Sequence, residues 1–352
     1  MANREKIGII GLGMIGGSLA LALTPFFDIV GYDADASVRA YAEENGFCRV
    51  VFSPRDMKDC SAVFVCVPLV SMRDVLDEAY VALGDGVIIT DVASVKMPFA
   101  STRGRYVGGH PMAGSERGGI KQAKPHLFQN AYYCITSEGV DADRVRAIVE
   151  KTGAIALNMS AEDHDRAVAA FSHTPHAVAY ALTTAAVESC VQPIAGTGFM
   201  DSTRIAQSEG RFWSEVFKLN KDNTSRCIHS VIDELTAVAG MLERDEYAKL
   251  ERYFDAARKK REALNRVDLG GETLYVDLVD RVGEFERITG AVAREGINLT
   301  NIALVPARSG ASGALRLEFA SVADKLNAKK AIERLYNSSA NADERLKHIG
   351  DE

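Results

Sequence analysis

The chain predicts a doubly wound α/β fold at its N-terminus, and three observations predict it. An apolar strand segment from Lys6 runs into Gly11-x-Gly13-x-x-Gly16. An apolar helical segment follows at once, and a second strand segment, Ile29-Val-Gly-Tyr-Asp33, ends in an acid 17 residues after Gly16. Each part suits a Rossmann-type dinucleotide site. Gly11 permits the tight turn, Gly13 lets the backbone approach a pyrophosphate, and Gly16 lets the helix pack closely on the sheet. At Met14 and Ile15 the helix N-terminus offers free N–H groups and a positive dipole end to the phosphates. The Asp33 carboxylate suits the adenosine ribose hydroxyls and would repel a 2′-phosphate, so NAD is expected over NADP.

Further strand segments follow at 62–67, 86–91, 105–109, 131–136 and 154–158, after those at 6–11 and 28–33. Short length, Val/Ile content and bounding Gly, Pro or Asp mark them as buried parallel strands. Between the second and third, residues 35–45 read as a helix capped by Asp35 and stopped at Gly46. Residues 1–160 therefore form the first domain, with its ligand crevice at the carboxyl ends of the strands.

From Glu162 to about Lys260 the texture is helical, broken by Pro175, Pro193 and the Gly196-Thr-Gly198 turn. Its apolar stripes (Phe171, Ala177, Val178, Ala181 and Leu182; then Ile228, Val231, Leu235 and Val238) exceed the needs of one small bundle. They predict a homodimer interface in an all-helical domain spanning 161–268. Gly270-Gly271 reads as a hinge. Beyond it, strand 273–279, helix 284–294, strands 297–305 and 314–320 around a Ser-Gly turn at 309–313, and helix 322–336 give βαββα over 269–352. The polar tail from Asn337 shows no evident fourth strand.

Composition narrows the partners. With 47% hydrophobic and 25% charged residues, the chain is globular, and a net charge of −7 without a dense basic stripe argues against nucleic acid. The one basic cluster, Arg258-Lys-Lys-Arg261, reads as a solvated helix face. Arg4 and Lys6 before an apolar run resemble a secretory leader. Interrupting glycines and the missing small-residue cleavage site argue against that reading, and no stretch is long enough to cross a bilayer. Six scattered cysteines without a Cys-x-x-Cys pair fit a reducing, cytoplasmic setting and no zinc site.

Four polar clusters stand where a packed core would not select them. Asp91-Val-Ala-Ser94-Val-Lys96 follows a strand, which places Ser94 and Lys96 by the nicotinamide half of the crevice; Ser94 as a simple helix cap is the alternative. His110, in Gly108-Gly-His-Pro-Met-Ala-Gly-Ser115-Glu116, is held in a rigid turn and suits a general base, because imidazole titrates near neutrality. His164-Asp-Arg and Ser172-His173-Thr-Pro-His176 bring histidines three apart without a carboxylate spaced to complete a metal site, so a hydrogen-bond role toward a substrate is expected and no metal is. Arg204, behind the Gly196-Thr-Gly turn, suits a carboxylate in bidentate fashion or an ion pair with Asp201; Trp213, nine residues on, suits a pocket wall or a core.

Together, Asp-x-x-Ser-x-Lys at 91–96, His-Pro-Met-Ala-Gly-Ser-Glu at 110–116, Ser-His-x-Pro-His at 172–176 and Thr-Arg-Ile-Ala at 203–206 resemble the prephenate/arogenate dehydrogenase family of tyrosine biosynthesis. The resemblance spans nearly the whole chain. It implies NAD-dependent oxidative decarboxylation of prephenate to 4-hydroxyphenylpyruvate. His110 would accept the C4 hydroxyl proton, with Ser94 on the same oxygen. Arg204 would clamp a carboxylate, His173 and Ser115 would touch the side chain or the nicotinamide edge, and Trp213 would wall the pocket. Asp280-Arg-Val-Gly283-Glu-Phe and Gly296-Ile-Asn298-Leu-Thr-Asn-Ile resemble an ACT domain, implying L-tyrosine as a feedback ligand near Gly283 and Asn298. Arogenate is the alternative substrate, and a non-catalytic NAD and amino-acid sensor the alternative class.

Overall fold

A computed structural model describes residues 4–114, 118–187, 195–265, 272–278, 281–305, 314–337 and 349–350. Ser115, the Gly270-Gly271 hinge and the 309–313 turn lie outside them. The chain divides into two compact units, 1–239 and 240–352.

The first unit is built on a six-stranded sheet. Its strands are β1 (Lys6–Ile10), β2 (Asp28–Tyr32), β3 (Arg49–Val50), β4 (Ala62–Val65), β5 (Ile88–Asp91) and β6 (Tyr106–Val107), all parallel, in the order β3-β2-β1-β4-β5-β6. Side chains alternate between faces with period two. Ala62, Phe64 and Ile88 join one buried cluster, and Val63, Val65 and Ile89 join the other. Two covered faces explain the unbroken apolar runs. Helices α1 (Met14–Leu23), α2 (Ala36–Glu44), α3 (Met72–Leu83) and α4 (Val140–Val149) connect the strands. Asp35 caps α2 by accepting from the Ser37 amide, and Gly46, at φ 69°, turns the chain away.

The segment read as one strand at 105–109 is two. β6 extends the parallel sheet, whereas β7 (Gly109–Pro111) pairs antiparallel with β8 (Tyr132–Ile135), which pairs parallel with β9 (Ile155–Asn158) in a separate three-stranded sheet. Glycines allow the switch. A Cβ on Gly108 would lie 2.3 Å from Thr136 Oγ1, and one on Gly109 would lie 2.6 Å from the Asp91 carbonyl oxygen.

The helical part comprises α5 (Ala161–Val168), a π-helical turn at Ala169–His173, α6 (Thr174–Val187), α7 (Thr197–Thr203), α8 (Gly210–Leu219) and α9 (Lys221–Glu243), which runs across the boundary between the units. Pro175 has no N–H to return to Phe171, and the widened turn falls where that bond is missing. Trp213 and Val216 of α8 join the core on the α3 side of the sheet. Of the expected apolar stripe, Phe171 is 73% exposed, and Val178, Leu182 and Leu235 also face outward.

The second unit holds α10 (Tyr247–Asn265) and a four-stranded antiparallel sheet. Its strands β10 (Glu272–Asp277), β11 (Leu299–Val305), β12 (Ala314–Phe319) and β13 (Ile349–Gly350) lie in the order β11-β12-β10-β13. Leu274, Val276, Leu315, Leu317 and Phe319 face Ile288 and Val292 of α11 (Glu284–Arg294) and Ala328 and Ile332 of α12 (Val322–Asn337). This is a βαββαβ arrangement of ferredoxin type. The fourth strand, not evident in the sequence, is a two-residue pairing with β10. Arg258 pairs with Glu262 and Asp255, as a solvated helix face would. Gly283 opens α11 at φ 83°, and Asn298 is exposed beyond its far end. Eleven helical residues span about 16 Å, so a single amino acid cannot touch both positions within one copy.

Candidate active site

The glycine loop has the geometry of a dinucleotide cradle. Gly11 sits at φ 92°, where a Cβ would meet the Cys66 carbonyl oxygen at 2.5 Å; a Cβ on Gly16 would overlap the Gly11 oxygen. By contrast, Gly13 faces open space. It is the N-cap of α1 and puts no side chain across the N–H groups beginning at Met14 and Ile15. Asp33, at the end of β2, accepts from the Leu12 amide at 2.7 Å and from the Asp35 amide at 2.9 Å. Loop and acid are therefore one piece, and the donor set suits a pyrophosphate and a ribose.

Beyond β5 the chain builds a buried ionic support. Both Asp91 carboxylate oxygens lie 2.7 Å from Lys96 Nζ, and the ammonium also donates to the Gly109 carbonyl. The Gly109 amide returns a bond to Asp91 at 2.9 Å. Lys96 is 1% exposed. Burial pulls its ammonium down from the ordinary value while Asp91 pushes back. The expectation that Lys96 faces the nicotinamide is corrected: closure of β7 over the strand end buries it, and it clamps β5 to β7. Ser94 is half-buried. The helical turn that follows is capped at Lys96, so Ser94 is no cap, and its hydroxyl has no protein partner among the described residues.

His110 lies on β7, next to this clamp, with its ring partly accessible. Its Nδ1 is 2.8 Å from Nε2 of the fully buried His164. Nδ1 of His164 is in turn 2.8 Å from Asp165 Oδ1. Asp165 also accepts the amides of Lys96 and Met97 at 2.7 and 2.9 Å, joining α5 to the loop after β5. Burial first, then the neighbouring His164, Lys96 and His173, hold the His110 imidazole well below its ordinary value. At neutral pH it is an uncharged base. His164 and Asp165 belong to the third polar cluster of the sequence, but nothing in their spacing ties them to His110.

His173, expected to meet the substrate, is 1% exposed, and its Nδ1 lies 3.2 Å from Thr224 Oγ1 and 3.3 Å from Asn220 Nδ2. The structure makes it a packing partner. The half-buried His176, three residues on, stacks on Trp213 with ring centroids 3.5 Å apart and anchors Nδ1 on the Ser172 carbonyl at 3.0 Å. Trp213 is buried, part of the core on one side and a platform for His176 on the other. Arg204 is exposed on a short turn, and no ion pair joins it to Asp201 among the described residues. One turn after His176 along α6, Tyr180 donates to the Ser208 carbonyl at 2.8 Å and ties that turn to the helix. No group of three His, Cys, Asp or Glu suited to a metal occurs among the described residues.

A parallel sheet with a glycine cradle and a ribose acid, a neutral imidazole at the strand end, and a helical second layer define a dinucleotide-dependent dehydrogenase. Comparison with known proteins narrows the class. Residues 20–157 match the family model described as prephenate dehydrogenase, nucleotide-binding domain, and 160–256 match prephenate dehydrogenase, dimerization domain. A prephenate dehydrogenase of Bacillus subtilis is 32% identical, covering 94% of this chain and 96% of that protein. Two solved structures each cover 74% of this chain. One is a prephenate dehydrogenase from A. aeolicus in complex with hydroxyphenyl propionate and NAD+, 27% identical over 98% of that chain with a TM-score of 0.68. The other is a Synechocystis arogenate dehydrogenase, 26% identical over 99% of that chain with a TM-score of 0.67. The chain belongs to the prephenate dehydrogenase family.

Proposed function

We propose that this chain oxidatively decarboxylates prephenate to 4-hydroxyphenylpyruvate with NAD+, in tyrosine biosynthesis. The observation that carries the reading is His110: an imidazole kept neutral, partly accessible, at the carboxyl end of the sheet that bears the dinucleotide cradle. Bound at Gly11, Gly13, Met14, Ile15, Gly16 and Asp33, NAD+ supplies the hydride acceptor. As hydride leaves ring C4, the C4 hydroxyl turns acidic, and His110 takes its proton. Departure of the ring carboxylate as CO2 leaves its electron pair in the ring, and His110 returns the proton to the oxygen of the aromatic product. Ser94 bonds the same oxygen or orients the ring. Arg204 holds a substrate carboxylate, while His176 and Trp213 line the side-chain end, with His173 behind them, and Ser115 contacts the side chain or the nicotinamide edge as the family resemblance implies.

The outward apolar side chains of the helical domain, Phe171, Val178, Leu182 and Leu235 among them, are covered in a homodimer. No described helix is long and apolar enough to cross a membrane. The described cysteines are free, which suits the cytoplasm. Residues 269–352 act as an ACT-like regulatory domain for L-tyrosine. Gly283 and Asn298 then belong to one effector site only if two copies contribute one each.

The likeness to an arogenate dehydrogenase makes arogenate the second substrate to test. NADH absorbance is followed with prephenate and with arogenate, each with and without tyrosine. Turnover with prephenate and inhibition by tyrosine are expected. Turnover with arogenate alone moves the assignment to that substrate, turnover with neither ends it, and absence of both inhibition and calorimetric heat removes the tyrosine site.

A further inference from the structure

We infer that His164 and Asp165 are positioning residues that set the tautomer of His110, holding its proton on Nδ1 and leaving Nε2 bare for the substrate hydroxyl. This inference rests on the base role proposed for His110, but its geometry stands apart from the choice of substrate.

One group in this chain of contacts has a hydrogen-bonding role without an alternative. Asp165 is buried and takes two backbone amides, so its carboxylate is an acceptor at every contact. His164 Nδ1, 2.8 Å from Asp165 Oδ1, must donate. In a neutral His164 that leaves Nε2 as a lone pair. His110 Nδ1 lies 2.8 Å from this lone pair and must donate in its turn. The remaining nitrogen of His110, Nε2, has no protein partner among the described residues. Two buried groups thus impose one tautomer on a third that is partly accessible. When Nε2 takes the substrate proton, the imidazolium formed keeps its Nδ1–H bond to His164, which is itself held by the Asp165 carboxylate at 2.8 Å.

The surroundings keep the His110 ring uncharged until reaction. His110 faces His164 and Asp165 from α5, Lys96 from the loop after β5, and His173 from the π-helical turn. Nearby Lys96 is matched by Asp91. Asn220 closes the back by donating to the Asp165 carbonyl at 2.7 Å. A structural role alone does not require this ordering of donors and acceptors, because a doubly protonated His164 would fit the same distances with every proton on His110 reversed.

The full-length protein, labelled with nitrogen-15 in its histidines, tests the inference at neutral pH. The two His110 nitrogens are identified by their loss in His110→Asn. A protonated Nδ1 and a bare Nε2 are expected; a protonated Nε2 overturns the inference. This arm needs no substrate, so it decides even if neither prephenate nor arogenate is turned over. The kinetic arm uses whichever substrate the wild type accepts. His164→Leu removes the acceptor and should lower kcat by about 10²-fold, with NADH binding unchanged and the acid limb of the pH profile displaced. His164→Gln, whose carboxamide oxygen reaches the place of Nε2, should recover most of that loss. Full activity in the leucine variant, or equal losses in both variants with NADH binding intact, overturns the inference. If the leucine variant does not fold, the glutamine variant decides by its His110 nitrogen shifts and its rate.

Discussion

The Leu12 amide donates to Asp33 Oδ2 at 2.7 Å, so the loop between the first two glycines and the acid at the end of β2 are locked to each other. A cofactor that disturbs the acid disturbs the pyrophosphate loop with it. A 2′-phosphate brings negative charge to a carboxylate that backbone amides hold in place, and like charges in contact cost several kcal/mol. Asp33→Asn keeps an oxygen for Leu12 and removes the charge. The ratio of kcat/KM for NADP+ to that for NAD+ should rise about 10-fold or more, measured side by side; an unchanged ratio would show that Asp33 does not set the preference.

His110→Asn removes the proposed base and leaves the glycine loop untouched. Turnover should fall by about 10²–10⁴-fold, the usual worth of general-base help, while NADH binding by fluorescence titration stays within error. A variant with wild-type turnover would remove His110 from the chemistry.

Arg204→Ala should act on substrate binding. Charge-assisted bonds to a carboxylate are worth about 1.5–3 kcal/mol, so KM for the substrate should rise roughly 10- to 100-fold, with a smaller change in kcat. Steady-state kinetics at saturating NAD+ separates the two constants, and an unmoved KM would place the carboxylate elsewhere.

Lys96→Met is expected to harm the fold before the chemistry. It leaves Asp91 buried without its counter-charge, a loss of about 3–5 kcal/mol for a buried pair broken on one side. Denaturant unfolding should show that loss. A midpoint within error of wild type would mean that water reaches Asp91.

Acid should destabilise the protein through His173. Burial is the largest cause of its low value, about 4 against an ordinary 6.5. The native ring is therefore neutral where an unfolded ring binds a proton, and stability rises with pH between those two values. Its contribution is complete above the unfolded value and is lost as pH falls towards the folded one. In His173→Asn the slope of stability against pH across that window should flatten; an unchanged slope assigns the acid sensitivity to other groups.

Much of the architecture was legible because local chemistry decides it. The helix read at 284–294 begins and ends at those residues, and Asp35 caps α2 as its position before an apolar pattern suggested. The elements that escaped, β3 and β13, have two residues each and exist only through pairing with β2 and β10. Nothing in so short a stretch has a period to read.

The sequence by itself determined the glycine loop and the layering of strands and helices and singled out His110 as the candidate base, because glycine conformations, apolar periodicity and a lone imidazole in a rigid turn are properties of neighbouring residues. Tertiary structure decided which polar side chains face outward. Lys96 was buried by β7 folding over it, His173 gave way to His176 at the π-helical turn, and His164 met His110 across 54 residues of chain. Burial and hydrogen-bond direction are set by whatever the fold brings alongside, and no spacing along a chain contains them.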